Sequence, residues 1–178
     1  MLSIVVVAAS LLTLCSCQLE KCPSAITRDQ YLQVHGDSCF MFSIYRLRTH
    51  TEAKAECATN KGTLALVKSQ ELQDYLYDQL LHTYKSPLGK AWIGLDDVAV
   101  EDKFVWEDGT SLAYQNFAPG EGIANTTQGA HSAHPNEDCV LIDVSAQGKW
   151  RDFPCDANPL FLFTAEERHA FVCQYKIN

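Results

Sequence analysis

Carboxylates and cysteines are the residues of this chain that could do chemistry. Asp and Glu number 22 against 14 Lys and Arg, a formal net charge of −8. Surplus carboxylate suits hard divalent cations, which take roughly six to eight oxygen ligands, although most acidic surfaces merely keep a protein in solution. His131, His134 and Glu137 have a spacing that could suggest zinc, but Pro135 and the surrounding Gly, Ser and Ala oppose the helix that would converge them. Nucleophilic catalysis would need a Gly-x-Ser-x-Gly elbow, a phosphate-cradling glycine loop or a free cysteine, and the expected mature chain has none, so an enzyme is not expected. No Lys/Arg cluster supplies the basic footprint that nucleic acid requires.

The cysteines acquire meaning from the first residues. Residues 1–19 carry no charged side chain, and Leu2 to Leu14 is apolar apart from Ser3, Ser10 and Thr13, before the small-residue stretch Cys15-Ser16-Cys17. A run of about 13 residues matches the core of a signal peptide and is short for a bilayer span of about 20. The expectation is a signal peptide over 1–17, cleaved near Cys17/Gln18, and a secreted mature chain over 18–178 with no membrane span. An uncleaved anchor is the rival reading, and no basic flank holds it in the cytoplasm. Export removes Cys15 and Cys17 and leaves six cysteines: Cys22, Cys39, Cys57, Cys139, Cys155 and Cys173. An even number in an exported chain reads as three disulfides, in any of 15 connectivities. The sequon Asn125-Thr126-Thr127 makes Asn125 a glycosylation candidate.

The elements that must position these groups form one α+β domain with no linker. Cys22 through Phe42 reads as a hairpin. Thr49-His50-Thr51-Glu52 has capping-box spacing and opens a helix that Gly62 is expected to end. Leu64 to Val67 reads as a buried strand, and Ser69 as the cap of a second helix with Leu72, Tyr75, Leu76 and Leu80 on its core face. Short strands follow at Trp92–Leu95, Phe104–Trp106, Cys139–Asp143, Lys149–Arg151 and Ala170–Tyr175, with a long loop over 114–137. Trp92, Trp106 and Trp150 are assigned to the core, and Pro159 to Phe163 to an extra strand or an exposed patch.

Trp92-Ile93-Gly94-Leu95, Glu107-Asp108-Gly109, Glu137-Asp138-Cys139-Val140, Trp150-Arg151-Asp152 and Phe171-Val172-Cys173 stand in an order that resembles the C-type lectin-like domain, from Cys22 to Tyr175. The resemblance implies two helices, small antiparallel sheets, a long disulfide-clamped loop region and the pairings Cys22–Cys39, Cys57–Cys173 and Cys139–Cys155. It further implies that the long loop binds calcium, and that in sugar-binding members a sugar ligates that calcium directly. The family's sugar-site pattern is Glu-Pro-Asn or Gln-Pro-Asp, an acid two residues before a cysteine, then Trp-Asn-Asp. Glu121, Glu137 and Asp152 match its acids. Gly122 replaces the proline, Ile123 an oxygen ligand, and Arg151 the asparagine, placing a guanidinium with no acceptor atom in a cation site. A shifted register would use His134-Pro135-Asn136, making Asn136 a candidate, at the cost of any loop before Glu137.

Two expectations follow from this resemblance. Arg151 stands in for the sugar-side calcium and bridges Glu121, Glu137 and Asp152, or else it points to solvent. An auxiliary calcium site forms from Asp97, Glu101, Glu137 and Asp138, whose charges would repel without a cation. The leading reading is a secreted recognition protein for carbohydrate on glycoconjugates or microbial surfaces, assisted by Ca²⁺. The alternative is a protein-binding or structural module that has lost sugar binding. No collagen-like or coiled-coil segment is present, so any oligomer would rest on surface contacts.

Overall fold

A computed structural model describes residues 18–122, 137–156 and 168–177. The segment assigned to a signal peptide, the glycosylation candidate Asn125, Asn136, the two zinc-suggesting histidines and the 159–163 segment lie outside the described residues.

Among the described residues, eight strands and the two helices that pack on them make the α+β architecture. The hairpin expected at the N-terminus is β1 (Leu32–His35) with β2 (Ser38–Arg48). Helix α1 (His50–Thr59) follows at once, because Thr49 accepts from the Glu52 N–H while the Glu52 carboxylate accepts from the Thr49 N–H. The chain leaves α1 through Lys61, at φ +60°, and not through Gly62. Gly62 is required for a different reason: a Cβ there would lie 2.4 Å from the Tyr175 ring. Next come β3 (Thr63–Leu64), α2 (Gln70–Asp78) capped by Ser69, a π-type turn over Gln79–Thr83, β4 (Lys90–Asp96) and β5 (Val105–Trp106). The chain closes with β6 (Cys139–Asp143), β7 (Lys149–Phe153) and β8 (His169–Lys176). Strand β3 is shorter than the sequence suggests, since the Leu66 N–H turns away to the Gln174 side chain.

One sheet runs in the order β1-β2-β8-β4-β6-β7, with β3 added to β8 and β5 to β4. All pairs are antiparallel except β4 with β8, so the last strand is inserted at the sheet's centre between the first half of the chain and the second. On one side Phe40, Phe42, Val67, Leu76, Ile93, Trp106, Val140 and Trp150 pack under α2; on the other Leu32, Ala53, Leu64, Trp92, Leu141 and Phe171 pack under α1. The three tryptophans are buried, as core residues. Three disulfides join Cys22 to Cys39, Cys57 to Cys173 and Cys139 to Cys155. The second ties α1 to β8, and the third holds the end of β7 to the start of β6.

Candidate cation and ligand site

The site lies where β4, β6 and β7 deliver their ends to the long loops. Strand β7 is fixed first. Gln73 of α2, fully buried, accepts from the Trp150 indole N–H at 2.7 Å and donates to the Gly148 carbonyl at 2.8 Å. Asn116 reinforces this by accepting the Trp150 backbone N–H at 2.9 Å. Trp150 points inward, so its neighbours Arg151 and Asp152 follow the pleat at the loop end of the sheet, opposite Leu141 and Val140.

Arg151 is clamped. Its Nη1 lies 3.4 Å from Glu121 Oε1 and its Nε 3.1 Å from Asp143 Oδ2, the latter contact being electrostatic because the N–H points off the line. Asp143 ends β6 with its side chain 3% exposed, and its Oδ1 already receives Ser145 and Ala146 N–H groups and the Ser145 hydroxyl. Sequence reasoning put Arg151 among Glu121, Glu137 and Asp152 and missed Asp143 altogether. A local signal existed, in that Asp-x-Ser before a glycine favours a side-chain-capped turn. What no local pattern shows is that this turn places Oδ2 under β7.

Asp152 connects two acidic groups. Its Oδ2 accepts the Gly122 N–H at 3.2 Å, while its Oδ1 is buried with no hydrogen-bond partner among the described residues. The Gly122 contact accounts for the missing proline of the family pattern: proline has no N–H to give, and φ is +75° here. On one side Asp152 meets Glu121, whose carboxyl is pushed up to about 7 by burial, then by its hydrogen bond to Asp152 and that group's charge, with Glu137 adding and Arg151 opposing. On the other side is Asp97.

Asp97 leaves β4 5% exposed. Its N–H donates to the Asp138 carbonyl at 3.0 Å, its Oδ2 accepts the Asp102 N–H at 2.8 Å, and its Oδ1 is buried without a hydrogen-bond partner among the described residues. Burial, followed by the charges of Glu101, Asp138 and Asp152, pushes its carboxyl up to about 7. Asp138 is raised too, by burial and then by Asp96. Of the expected auxiliary set, Glu101 and Asp138 act on Asp97 through their charges, as does Asp152, while Glu137 acts on Glu121; among the described residues these carboxylates do not converge into a ready metal-ligating cluster.

The donor types suit calcium at one end of the site, although the carboxylate oxygens there do not stand as a closed ligand cluster among the described residues. A buried carboxylate oxygen without a donor, facing further carboxylates, asks for a proton or a hard cation, and Asp97, Glu101, Asp138 and Asp152 supply anionic oxygen alone. At the Glu121 end the guanidinium of Arg151 brings five donors and no acceptor, so that end does not fit a metal. Among the described residues the group whose potential ligand atoms do come together is His50, Cys139 and Cys155, and both of its sulfurs are spent in a disulfide.

A long-loop α+β fold with disulfide clamps and a non-catalytic acidic site defines a binding domain. The chain belongs to the lectin C-type domain family, whose model matches residues 46–162. It is 38% identical over 104 residues to the low affinity immunoglobulin epsilon Fc receptor of Mus musculus, covering 58% of this chain and 27% of that protein. It is 32% identical over 118 residues to the versican core protein of Rattus norvegicus, covering 66% of this chain and 4% of that protein. The match thus spans a small part of these relatives. Among solved structures, the cow C-type carbohydrate-recognition domain of CD23, crystallised in the presence of a GlcNAc2Man3 oligosaccharide, is 27% identical with a TM-score of 0.63, covering 85% of this chain and 98% of that one. Membership in this family makes the chain a binding protein and not an enzyme.

Proposed function

We propose that this is a secreted recognition domain that binds carbohydrate on glycoconjugates or microbial surfaces, with one calcium ion holding the loops that form the binding face. The observation that carries the calcium is Asp97 Oδ1, buried with no hydrogen-bond partner among the described residues and under the charges of Glu101, Asp138 and Asp152. A cation there would neutralise the repulsion and fasten the β4 and β6 loops to β7 through Asp152. Carbohydrate is supported by the family and by the carbohydrate-recognition domains that share the fold. In support of secretion stand the three disulfides, which persist in oxidising compartments. No described helix is long and apolar enough to cross a membrane.

A second reading, recognition of a protein, is favoured by one observation: the position that should offer an amide to both metal and sugar holds the ion-paired Arg151. A glycan array probed with the disulfide-intact protein separates the two. Binding in calcium, competed by free sugar and weakened alike by chelator and by Asp97→Asn, is expected. A folded protein that binds no glycan in calcium overturns the carbohydrate reading and leaves the protein one.

A further inference from the structure

We infer that Arg151 is a built-in replacement for the sugar-side cation, so that this end of the binding face is assembled and presented without metal. The inference rests on the proposed reading for the calcium among Asp97, Glu101, Asp138 and Asp152, and adds that no second ion joins it at Glu121.

Three observations carry it. The guanidinium spans two segments, with Nη1 at 3.4 Å from Glu121 on the long loop and Nε at 3.1 Å from Asp143 at the end of β6. That is a crosslinking geometry of the kind a bound ion would supply, made here by a charge that cannot dissociate. Asp143 is 3% exposed on its side chain, so removing the arginine would take from its buried Oδ2 the ion-pair partner it has among the described residues. Finally, Gly122 donates its N–H to Asp152, so the loop turns back onto β7 through a backbone hydrogen bond that the proline of the family pattern could not make.

The clamp also fixes what the face can recognise. Arg151 keeps 40% of its side chain exposed, with the Glu121 carboxyl beside it. Donors and acceptors then stand side by side, which suits adjacent hydroxyls of a neutral saccharide. Glu121, Glu137, Asp143 and Asp152 outnumber the single guanidinium in this neighbourhood, which disfavours an anionic ligand.

The test is calcium stoichiometry by isothermal titration together with thermal melting, both on the secreted, disulfide-intact protein. The wild type should take up one calcium per chain, and Asp97→Asn none. Arg151→Met should still take up one, yet melt lower by on the order of 5 °C, in calcium and in chelator alike. Arg151→Lys should recover part of that loss. Two calcium ions in the wild type would overturn the inference, and so would an Arg151→Met protein that melts at the wild-type temperature. Zero uptake by the wild type would instead sink the calcium arm of the proposed function, and the melting comparison would still decide Arg151. If Arg151→Met fails to fold, the wild-type stoichiometry alone can refute the replacement.

Discussion

At the scale of single residues, Asp97 shows how a site declares what it lacks. A carboxylate on a protein surface is satisfied by water, but Asp97 has one oxygen in a backbone hydrogen bond and the other buried with no hydrogen-bond partner among the described residues, under the charges of Glu101, Asp138 and Asp152. The folded apo protein therefore carries either a shared proton or uncompensated charge, and both are relieved by a cation. Asp97→Asn keeps the size and the acceptor while deleting the charge. In chelator the variant should melt at or above the wild-type temperature, because repulsion has been removed. In calcium the order should reverse. At a free concentration a hundredfold over Kd, linkage gives the wild type about 2.7 kcal/mol, roughly 5 to 10 °C for a domain of this size, and the variant none of it. A wild type whose melting is indifferent to calcium would remove the ion from this cluster.

At the scale of elements, the acidic residues are useful only because β7 is held still, and the holding residue is Gln73. It sits beside the apolar positions Leu72 and Leu76 of α2, with Leu80, which the helical period also identifies, falling in the π-type turn that follows, and joins the helix to Trp150 and Gly148. In Gln73→Leu the buried Trp150 N–H loses its acceptor, whereas Gly148 O keeps the Asn116 amide at 3.1 Å. The expected cost is about 2 kcal/mol, read from urea unfolding with disulfides intact, together with weaker calcium uptake as Asp152 loosens. Unchanged stability would show that Trp150 needs no helix to place it. The same contrast explains what could be read in advance. Thr49 with Glu52, Ser69 with Leu72 and the apolar period of α2 are local rules, and each produced its element where the sequence placed it. The need for glycine at 62 depended on a ring arriving from β8, and the short β3 on Gln174, each more than a hundred positions away. The candidate site divides the same way. Asp97, Glu101, Asp138 and Asp152 were visible as acids beside recognisable motifs, but their grouping, and the entry of Asp143, arises from the register of β6 on β7 and cannot be seen along the chain.

For the whole molecule, the sheet order sets a dependence on pH that neither half of the chain would have alone. Inserting β8 beside β4 brings His169 against Trp92, with ring centroids 5.0 Å apart, while His50 of α1 meets the same indole at 5.4 Å. Both imidazoles are buried. His50 shares its Nε2 with the Ile93 carbonyl at 3.2 Å, and neither nitrogen of His169 has a partner among the described residues. Burial is the main cause that pushes both down to about 4; Lys90 adds to the effect at His169, and the Ile93 hydrogen bond and Asp96 oppose it at His50. An unfolded histidine titrates near 6.5, so between about 6.5 and 4 the unfolded chain binds protons that the fold refuses, and stability falls as the pH drops through that window. Asp97 and Glu121 act with the opposite sign without calcium. Their folded values, about 7, lie above those of unfolded carboxylates, so they favour the fold as pH falls from 7 towards 4. A single melting curve in chelator therefore mixes two opposed effects, and a difference between variants separates them. Phenylalanine preserves the ring contacts of His169 with Trp92 and with Phe153 and removes both partnerless nitrogens. His169→Phe should melt at least as high as the wild type at pH 7.5, and its advantage should widen steadily as the pH is lowered to 4.5. Parallel melting curves across that range would mean that His169 takes up its proton as readily in the fold as in the unfolded chain, and would overturn the reading that burial keeps it neutral.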